Sequence, residues 1–212
     1  MFPKSKVRKF KKMFTETPKK SGAIEVCCGS MFSGKSSELI RRLSRAKIAK
    51  LRVMSFTPAM DTRYSTFEVV SHDGMHIESI AVNDPMEILR HAQNVDVVGI
   101  DEVQFMDESI VDVASQLANN GIRVICAGLD MDYTGKPFGP MPRLMAIAEH
   151  ITKLHAICVR CGDPANNSFR TADSDELVML GEKDAYIPLC RHCFNELMKK
   201  RSGADIFRSE TA

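Results

Sequence analysis

Long apolar runs are missing from this 212-residue chain: no stretch approaches the ~18 residues that cross a bilayer, which excludes a helical membrane span. No apolar core of a secretory signal is seen either, so a cytoplasmic location is expected. The guanine-specifying tetrapeptide N-K-x-D does not occur, which counts against a GTPase. Histidines are few and scattered (His72, His76, His91, His150, His155, His192), so no catalytic histidine is expected. Internal repeats and low-complexity segments are lacking too. Net charge is only +2, and it conceals an asymmetry. Residues 1–22 carry eight basic side chains and one acidic, leaving 21 basic against 26 acidic, or −5, on the rest. A net acidic body argues against a broad nucleic-acid surface.

The basic leader, residues 1–22, interleaves lysines with Phe2, Val7, Phe10 and Phe14. That pattern fits an organellar presequence, a membrane-surface helix or a disordered tail. Pro3, Pro18 and the lack of helix caps favour the tail. Residues 201–212 form a second tail.

Seven cysteines divide into two groups. Cys27, Cys28 and Cys126 lie inside apolar runs, where a thiol acts as a small hydrophobe. Cys158, Cys161, Cys190 and Cys193 form two C-x-x-C pairs, which read as a closed structural Zn²⁺ site, four thiolates completing a tetrahedron. The 28 residues between the pairs exceed the usual ribbon spacing, so a long loop would be tied down at both ends by the metal.

Residues 29–36 (Gly29, Ser30, Met31, Phe32, Ser33, Gly34, Lys35, Ser36) match G-x-x-x-x-G-K-[ST], the loop that cradles nucleotide phosphates. An apolar run, 23–28, precedes it. Residues 36–50 follow with Leu39, Ile40, Leu43, Ala46 and Ile48 at helical spacing. Strand, glycine loop and helix together point backbone N–H groups and a helix N-terminus at phosphate. Lys35 would reach the outer phosphates and the Ser36 hydroxyl would ligate Mg²⁺.

Beyond the loop, strands are expected at 51–57, 67–71, 76–82, 95–100, 122–127 and 151–157, and helices at 84–91, 107–119 and 141–150. His72-Asp73-Gly74 suits a hairpin turn, and Asp84 suits an N-cap with Pro85 at the first helical position. Alternating strands and helices imply an α/β fold with a parallel sheet covered on both faces. We divide the chain into an α/β core, about 23–155, and a zinc-stapled lid unit, about 156–200.

Asp101 stands where an apolar strand meets its carboxyl-end loop, the position of the Mg²⁺-holding acid in phosphate-loop enzymes. Glu102 beside it suits a general base, for water in an ATPase or for a substrate hydroxyl in a kinase. The two residues alone do not separate these. A small-molecule kinase needs a pocket, a base and a lid that excludes water, and this chain has the size and a candidate lid.

The set of motifs resembles one family. Residues 29–39, then Asp61-Thr62-Arg63-Tyr64, then Ile100-Asp101-Glu102-Val103-Gln104-Phe105, closely resemble the type II (cytosolic-type) thymidine kinases. Leu129-Asp130, Lys136-Pro137-Phe138-Gly139 and both C-x-x-C pairs follow in the family's order, from about Ile24 to Met198. The resemblance implies a RecA-like phosphate-loop sheet with a zinc lid, and transfer of the ATP γ-phosphate to the 5′-hydroxyl of thymidine; whether deoxyuridine is also a substrate stays open. It places Lys35, Ser36 and Asp101 on phosphate and Mg²⁺, Val103 and Gln104 at the ATP site, and Glu102 as base. Asp61 and Arg63 would face the transferred phosphate. Thymine would stack on Phe105 within walls formed by Met31, Leu129 and Tyr133, while Ser168, Met179 and Tyr186 match the lid's contacts to the base.

Two departures stand out: Ser168 replaces a more usual threonine, and Gly181-Glu182 stands where many members have paired glycines. A homotetramer inhibited by thymidine triphosphate is also implied. Two readings of other classes stand beside this one, a phosphate-loop ATPase stimulated by nucleic acid and a catalytically silent nucleotide-binding regulator with a structural zinc unit.

Overall fold

The computed structural model describes residues 22–59, 68–70, 76–171 and 185–201. Most of the basic leader, the Asp61 and Arg63 segment, the expected turn at His72-Asp73-Gly74, Met179 and Gly181-Glu182 all lie outside the described residues.

Six strands form one wholly parallel sheet: β1 (Ala23–Gly29), β2 (Val53–Pro58), β5 (Ile80–Val82), β6 (Val97–Ile100), β7 (Arg123–Gly128) and β8 (His150–Leu154), in the order β5-β2-β6-β7-β1-β8. Helices α1 (Lys35–Ile48), α2 (Met86–His91), α3 (Ser109–Asn119) and α4 (Met141–Ile147) connect them. Alternation along the central strands feeds two cores. On one face Val26, Cys28, Val98, Ile100, Val124 and Cys126 pack with the apolar stripe of α3 and with Leu144 of α4. On the other, Cys27, Val97, Ile125 and Ala127 meet Leu39, Ile40, Leu43 and Ala46 of α1. Burial pushes the Cys27 and Cys28 thiols up to about 11 and Cys126 to about 12, so all three stay protonated and behave as apolar residues.

The expected helix starts are present. Asp84 accepts the Met86 N–H at 2.8 Å and Asp107 the Ser109 N–H at 2.7 Å. Three elements depart from expectation. The run expected as one strand over 76–82 splits: β4 (His76–Glu78) pairs antiparallel with β3 (Glu68–Val70), while β5 joins the main sheet beside β2. The buried Ser79 between them bonds the Ser55 hydroxyl at 3.4 Å, anchoring the crossing. The run over 151–157 also divides, because the chain leaves the main sheet at His155, whose ring pairs with Asn166, and re-pairs as β9 (Ala156–Ile157) with β10 (Pro164–Ala165). Finally, α4 ends at Ile147 because Ala148 is extended (ψ 136°) and leads into β8.

The carboxyl-end unit pairs β11 (Asn167–Arg170) with β12 (Tyr186–Leu189) and closes with α5 (Arg191–Arg201). Its own small core gathers Ala156, Ala165, Leu189 and Phe194 around the cysteines.

Candidate active site

The phosphate loop is built where β1 ends. Gly29 has φ 147°, and a Cβ there would stand 2.2 Å from the Leu154 carbonyl oxygen, so only glycine lets β8 lie this close. Gly34, at φ 84°, turns the chain into α1, and its carbonyl accepts the Glu38 N–H at 2.9 Å. Lys35 opens α1, yet its side chain is buried and folds back so that Nζ donates to the Ser30 carbonyl at 2.8 Å. Burial lowers its pKa against the opposing charges of Glu102, Asp101 and Asp130. Three carboxylates thus act on this one buried ammonium.

Asp101 leaves the end of β6 and is 4% exposed. Burial, then the charge of Glu102, push its carboxyl up to about 7, against hydrogen bonds from the Ser36 hydroxyl and the Glu102 N–H and the charge of Lys35. Ser36 and Asp101 are oxygen donors from two elements that meet at one point, the donor type Mg²⁺ takes.

Glu102 adopts φ 51° and ψ 37°, a left-handed conformation that costs a non-glycine residue about 1–3 kcal/mol. The conformation turns the chain into the short 3₁₀ turn Val103–Phe105 and brings the Glu102 carboxylate against Gln104. Gln104 Nε2 donates to Glu102 Oε2 at 2.5 Å, and Gln104 Oε1 accepts the Leu129 N–H at 2.9 Å. The side chain of Gln104 thus holds the Glu102 carboxylate against the loop after β7. Val103 is fully buried in the core on the α3 face, so its side chain serves packing.

The apolar residues expected around the base are distributed along the same edge. Phe105 meets Phe138 edge-on, ring centroids 5.5 Å apart at 88°. Leu129 and Tyr133 lie in the loop after β7 and Met31 lies in the phosphate loop. Phe32 beside Met31 is 38% exposed. Ser168 of β11 is buried, its hydroxyl accepting the Met31 N–H at 2.9 Å, and the Ser30 hydroxyl donates to the Ala165 carbonyl at 3.2 Å. Tyr186 of β12 packs on Arg170. Two buried oxygens at this edge, Ser33 Oγ and Asp130 Oδ1, have no hydrogen-bond partner among the described residues, while Asp130 Oδ2 pairs with Lys153 Nζ at 2.6 Å. Arg170, the contact of Phe138 with Phe105 and the anchoring role of Gln104 escaped sequence reasoning. Each acts through a long-range contact with no local signature.

Cys158, Cys161, Cys190 and Cys193 converge, with all four sulfur atoms within 4.8 Å of one another. A Zn²⁺ bound at ~2.3 Å by four sulfurs sets them about 3.8 Å apart, and Cys161 and Cys190 stand at 3.6 Å. The Cys193 N–H points at the Cys190 sulfur at 3.5 Å, where it would steady a thiolate. The four residues fit a tetrahedral structural zinc.

A polar groove elsewhere, of about 740 Å³ and lined by Glu25, Arg42, Arg45, Arg123 and Thr152, holds none of the expected site residues. Its charges are largely spent on one another: Arg42 binds Glu25 and Glu38 at 2.7 Å each, and Arg123 binds Glu25 at 2.5 Å.

Comparison with known proteins bears on this geometry. The profile of the family described as Thymidine kinase matches residues 22–194. The protein named Thymidine kinase of Bacteroides thetaiotaomicron is 58% identical over 176 residues, 83% of this chain and 88% of that protein. Its namesake in Bacteroides fragilis (strain YCH46) is 56% identical over 182 residues, 86% of this chain and 92% of the relative. That of Rhodothermus sp. (strain ITI 518) is 58% identical over 173 residues, 82% and 81% of the two chains.

Proposed function

Since the chain belongs to the thymidine kinase family, we propose that it transfers the γ-phosphoryl group of ATP to the 5′-hydroxyl of thymidine, giving thymidine monophosphate and ADP. The observation that carries this reading is the meeting of Lys35, Asp101 and Glu102 at the carboxyl ends of β1 and β6, beside the loop that bears Leu129. Ligands of open α/β sheets bind at those strand ends.

In this reading the backbone N–H groups of residues 29–36 and the buried ammonium of Lys35 hold the phosphates. Ser36 and Asp101 would hold Mg²⁺, which supplies neutralisation of phosphate charge when bound. Glu102, steadied by Gln104, takes the 5′-hydroxyl proton. The nucleoside oxygen bonds to the γ-phosphorus as the bond to the β-phosphate oxygen breaks. Asp61 and Arg63 are assigned to the transferred phosphate, where a guanidinium balances charge in a loose transition state. Phe105, Met31, Leu129 and Tyr133 wall the base, and the lid contributes Ser168, Met179 and Tyr186. Deoxyuridine, differing by one methyl group, is accepted as well, since a methyl in an apolar pocket discriminates weakly.

The four clustered cysteines, all within the lid unit, 156–200, would hold Zn²⁺ and tie the two ends of that unit together beside the core, 23–155. A homotetramer is assigned from the family resemblance; among the described residues β8 stands at the sheet edge with Ile151 exposed, an edge free to meet another chain. Thymidine triphosphate would inhibit by filling the nucleoside site. The enzyme is assigned to the cytoplasm; among the described residues no helix is long and apolar enough to cross a membrane. The test is ADP release with thymidine, with DNA and with neither. Release that depends on thymidine alone supports the kinase, and release that thymidine does not change overturns it.

A further inference from the structure

Arg170 closes β11 and its side chain is fully buried. Its guanidinium carbon lies 3.8 Å from the centre of the Tyr133 ring and 5.1 Å from that of Tyr186. Nε and Nη2 both donate to the Tyr186 hydroxyl, at 3.0 and 2.5 Å. Tyr186 faces Arg170 directly in the β11–β12 register, whereas Tyr133 belongs to the loop after β7. The Arg170 carbonyl accepts Nη1 of Arg201 at 3.2 Å, which ties the same residue to the end of α5. One residue therefore joins the lid sheet and the core loop through its side chain and the last helix through its carbonyl.

We propose that Arg170 is a positioning residue for the nucleoside, fixing the planes of Tyr133 and Tyr186 so that the two rings wall the base at a set separation. The inference rests on the reading of these tyrosines as pocket walls. Arginine suits the task because a planar guanidinium stacks on one ring while its edge donates to another. Lysine keeps the charge but supplies neither the stack nor the paired donors. Desolvation strengthens both contacts relative to exposed ones, so the loss is felt mainly where the rings meet the base. The phosphate loop has no part in the clamp.

The experiment compares wild type with Arg170→Lys, Tyr186→Phe and the double variant. Arg170→Lys should raise the thymidine KM roughly 10- to 30-fold, the upper end being the equivalent of a desolvated cation–π contact, with the ATP KM within about twofold and the zinc content unchanged. Tyr186→Phe, which removes only the hydroxyl, should give a smaller rise in the same direction. The double variant should fall short of the product of the two. If the lysine variant does not fold, Tyr186→Phe decides alone: a raised thymidine KM supports the clamp and a wild-type value overturns it. Equal losses for both substrates, or independent effects in the double variant, also overturn it.

A ligand-free readout separates this from failure of the kinase reading itself. The chain has three tyrosines and no tryptophan, so its near-ultraviolet circular dichroism carries the tyrosine band without indole. The clamp requires that band to change in Arg170→Lys, or in Tyr186→Phe beyond the loss of one chromophore, whether or not thymidine is a substrate. An unchanged band overturns the clamp, while a changed band in a protein that does not phosphorylate thymidine overturns only the kinase reading.

Discussion

The Ser168 hydroxyl accepts the Met31 backbone N–H at 2.9 Å across 137 positions of chain, so the lid sheet is hydrogen-bonded to the phosphate loop itself. With the Ser30 hydroxyl on the Ala165 carbonyl, it makes a two-point seam between the two substrate regions. An acceptor lost from a partly buried N–H costs about 1–3 kcal/mol. Ser168→Ala is therefore expected to raise the KM of both ATP and thymidine, each by roughly tenfold, and Ser168→Thr to restore both. Steady-state kinetics with each substrate varied in turn checks this. A rise for thymidine alone would mean that the hydroxyl serves the base directly.

Glu102 is held by Gln104 in a strained backbone conformation, the kind of arrangement found where a group must be aimed. Glu102→Gln keeps the shape and the oxygen that accepts from Gln104, and removes the base. Thymidine should still bind while phosphoryl transfer falls by roughly 10²–10⁴-fold. Isothermal titration for binding and a rapid-quench assay for transfer read the two quantities separately. A loss below tenfold would hand the proton to another acceptor, with Asp61 the first to test.

Removing the metal is expected to act on the nucleoside side. Zinc on the four-cysteine cluster would fasten both ends of a 28-residue stretch, and re-ordering freed residues costs ~1–2 kcal/mol for each one fixed. Cys190→Ser should lose most of its zinc and raise the thymidine KM far more than the ATP KM. Elemental analysis with the two KM values tests it, and equal losses would refute the division of labour.

Acid stability should report the ion-pair network at the other end of the sheet. Hydrogen bonding from Arg41, helped by Arg42 against burial, holds the Glu38 carboxyl down at about 2. Burial opposes ionisation of Glu25, but Arg123 and Arg42 outweigh it and lower its pKa as well. Both are carboxylates with depressed folded-state values, so their stabilisation is present above the ordinary carboxylate range and is lost as pH falls from about 4.5 towards about 2. Arg42→Met should lower Tm near pH 5 and show a smaller further drop between about pH 5 and about pH 3 than the parent. Parallel Tm curves for the two proteins would show that Arg42 does not set these values.

How much of this could be read in advance differs from element to element. The strand, glycine loop and α1 were legible because apolar spacing and turn glycines are local properties, and the parallel sheet followed from their alternation. The C-x-x-C pairs were legible because metal ligands must recur at fixed short spacing. The break at Ser79 was not, since β4 and β5 look continuous in sequence and part only because β2 captures the second half. The left-handed turn at Glu102 gave no sign, because the sequence carries no glycine there. Gln104 is expected at the ATP site by resemblance alone, and its anchoring of Glu102 to Leu129 appears only when β6 and β7 lie side by side. Arg170 would pass for a solvated charge in an exposed strand, and only the pairing of β11 with β12 and the loop after β7 buries it.

The most direct measurement of the central claim follows the γ-phosphoryl group itself. The purified chain is incubated with γ-labelled ATP, Mg²⁺ and thymidine, and the label is traced by mass spectrometry. The expected result is label on the 5′ oxygen of thymidine, one for each ADP formed, with the transfer abolished in Lys35→Ala. Label released as inorganic phosphate at the same rate with and without thymidine would contradict it and identify the site as that of an ATPase.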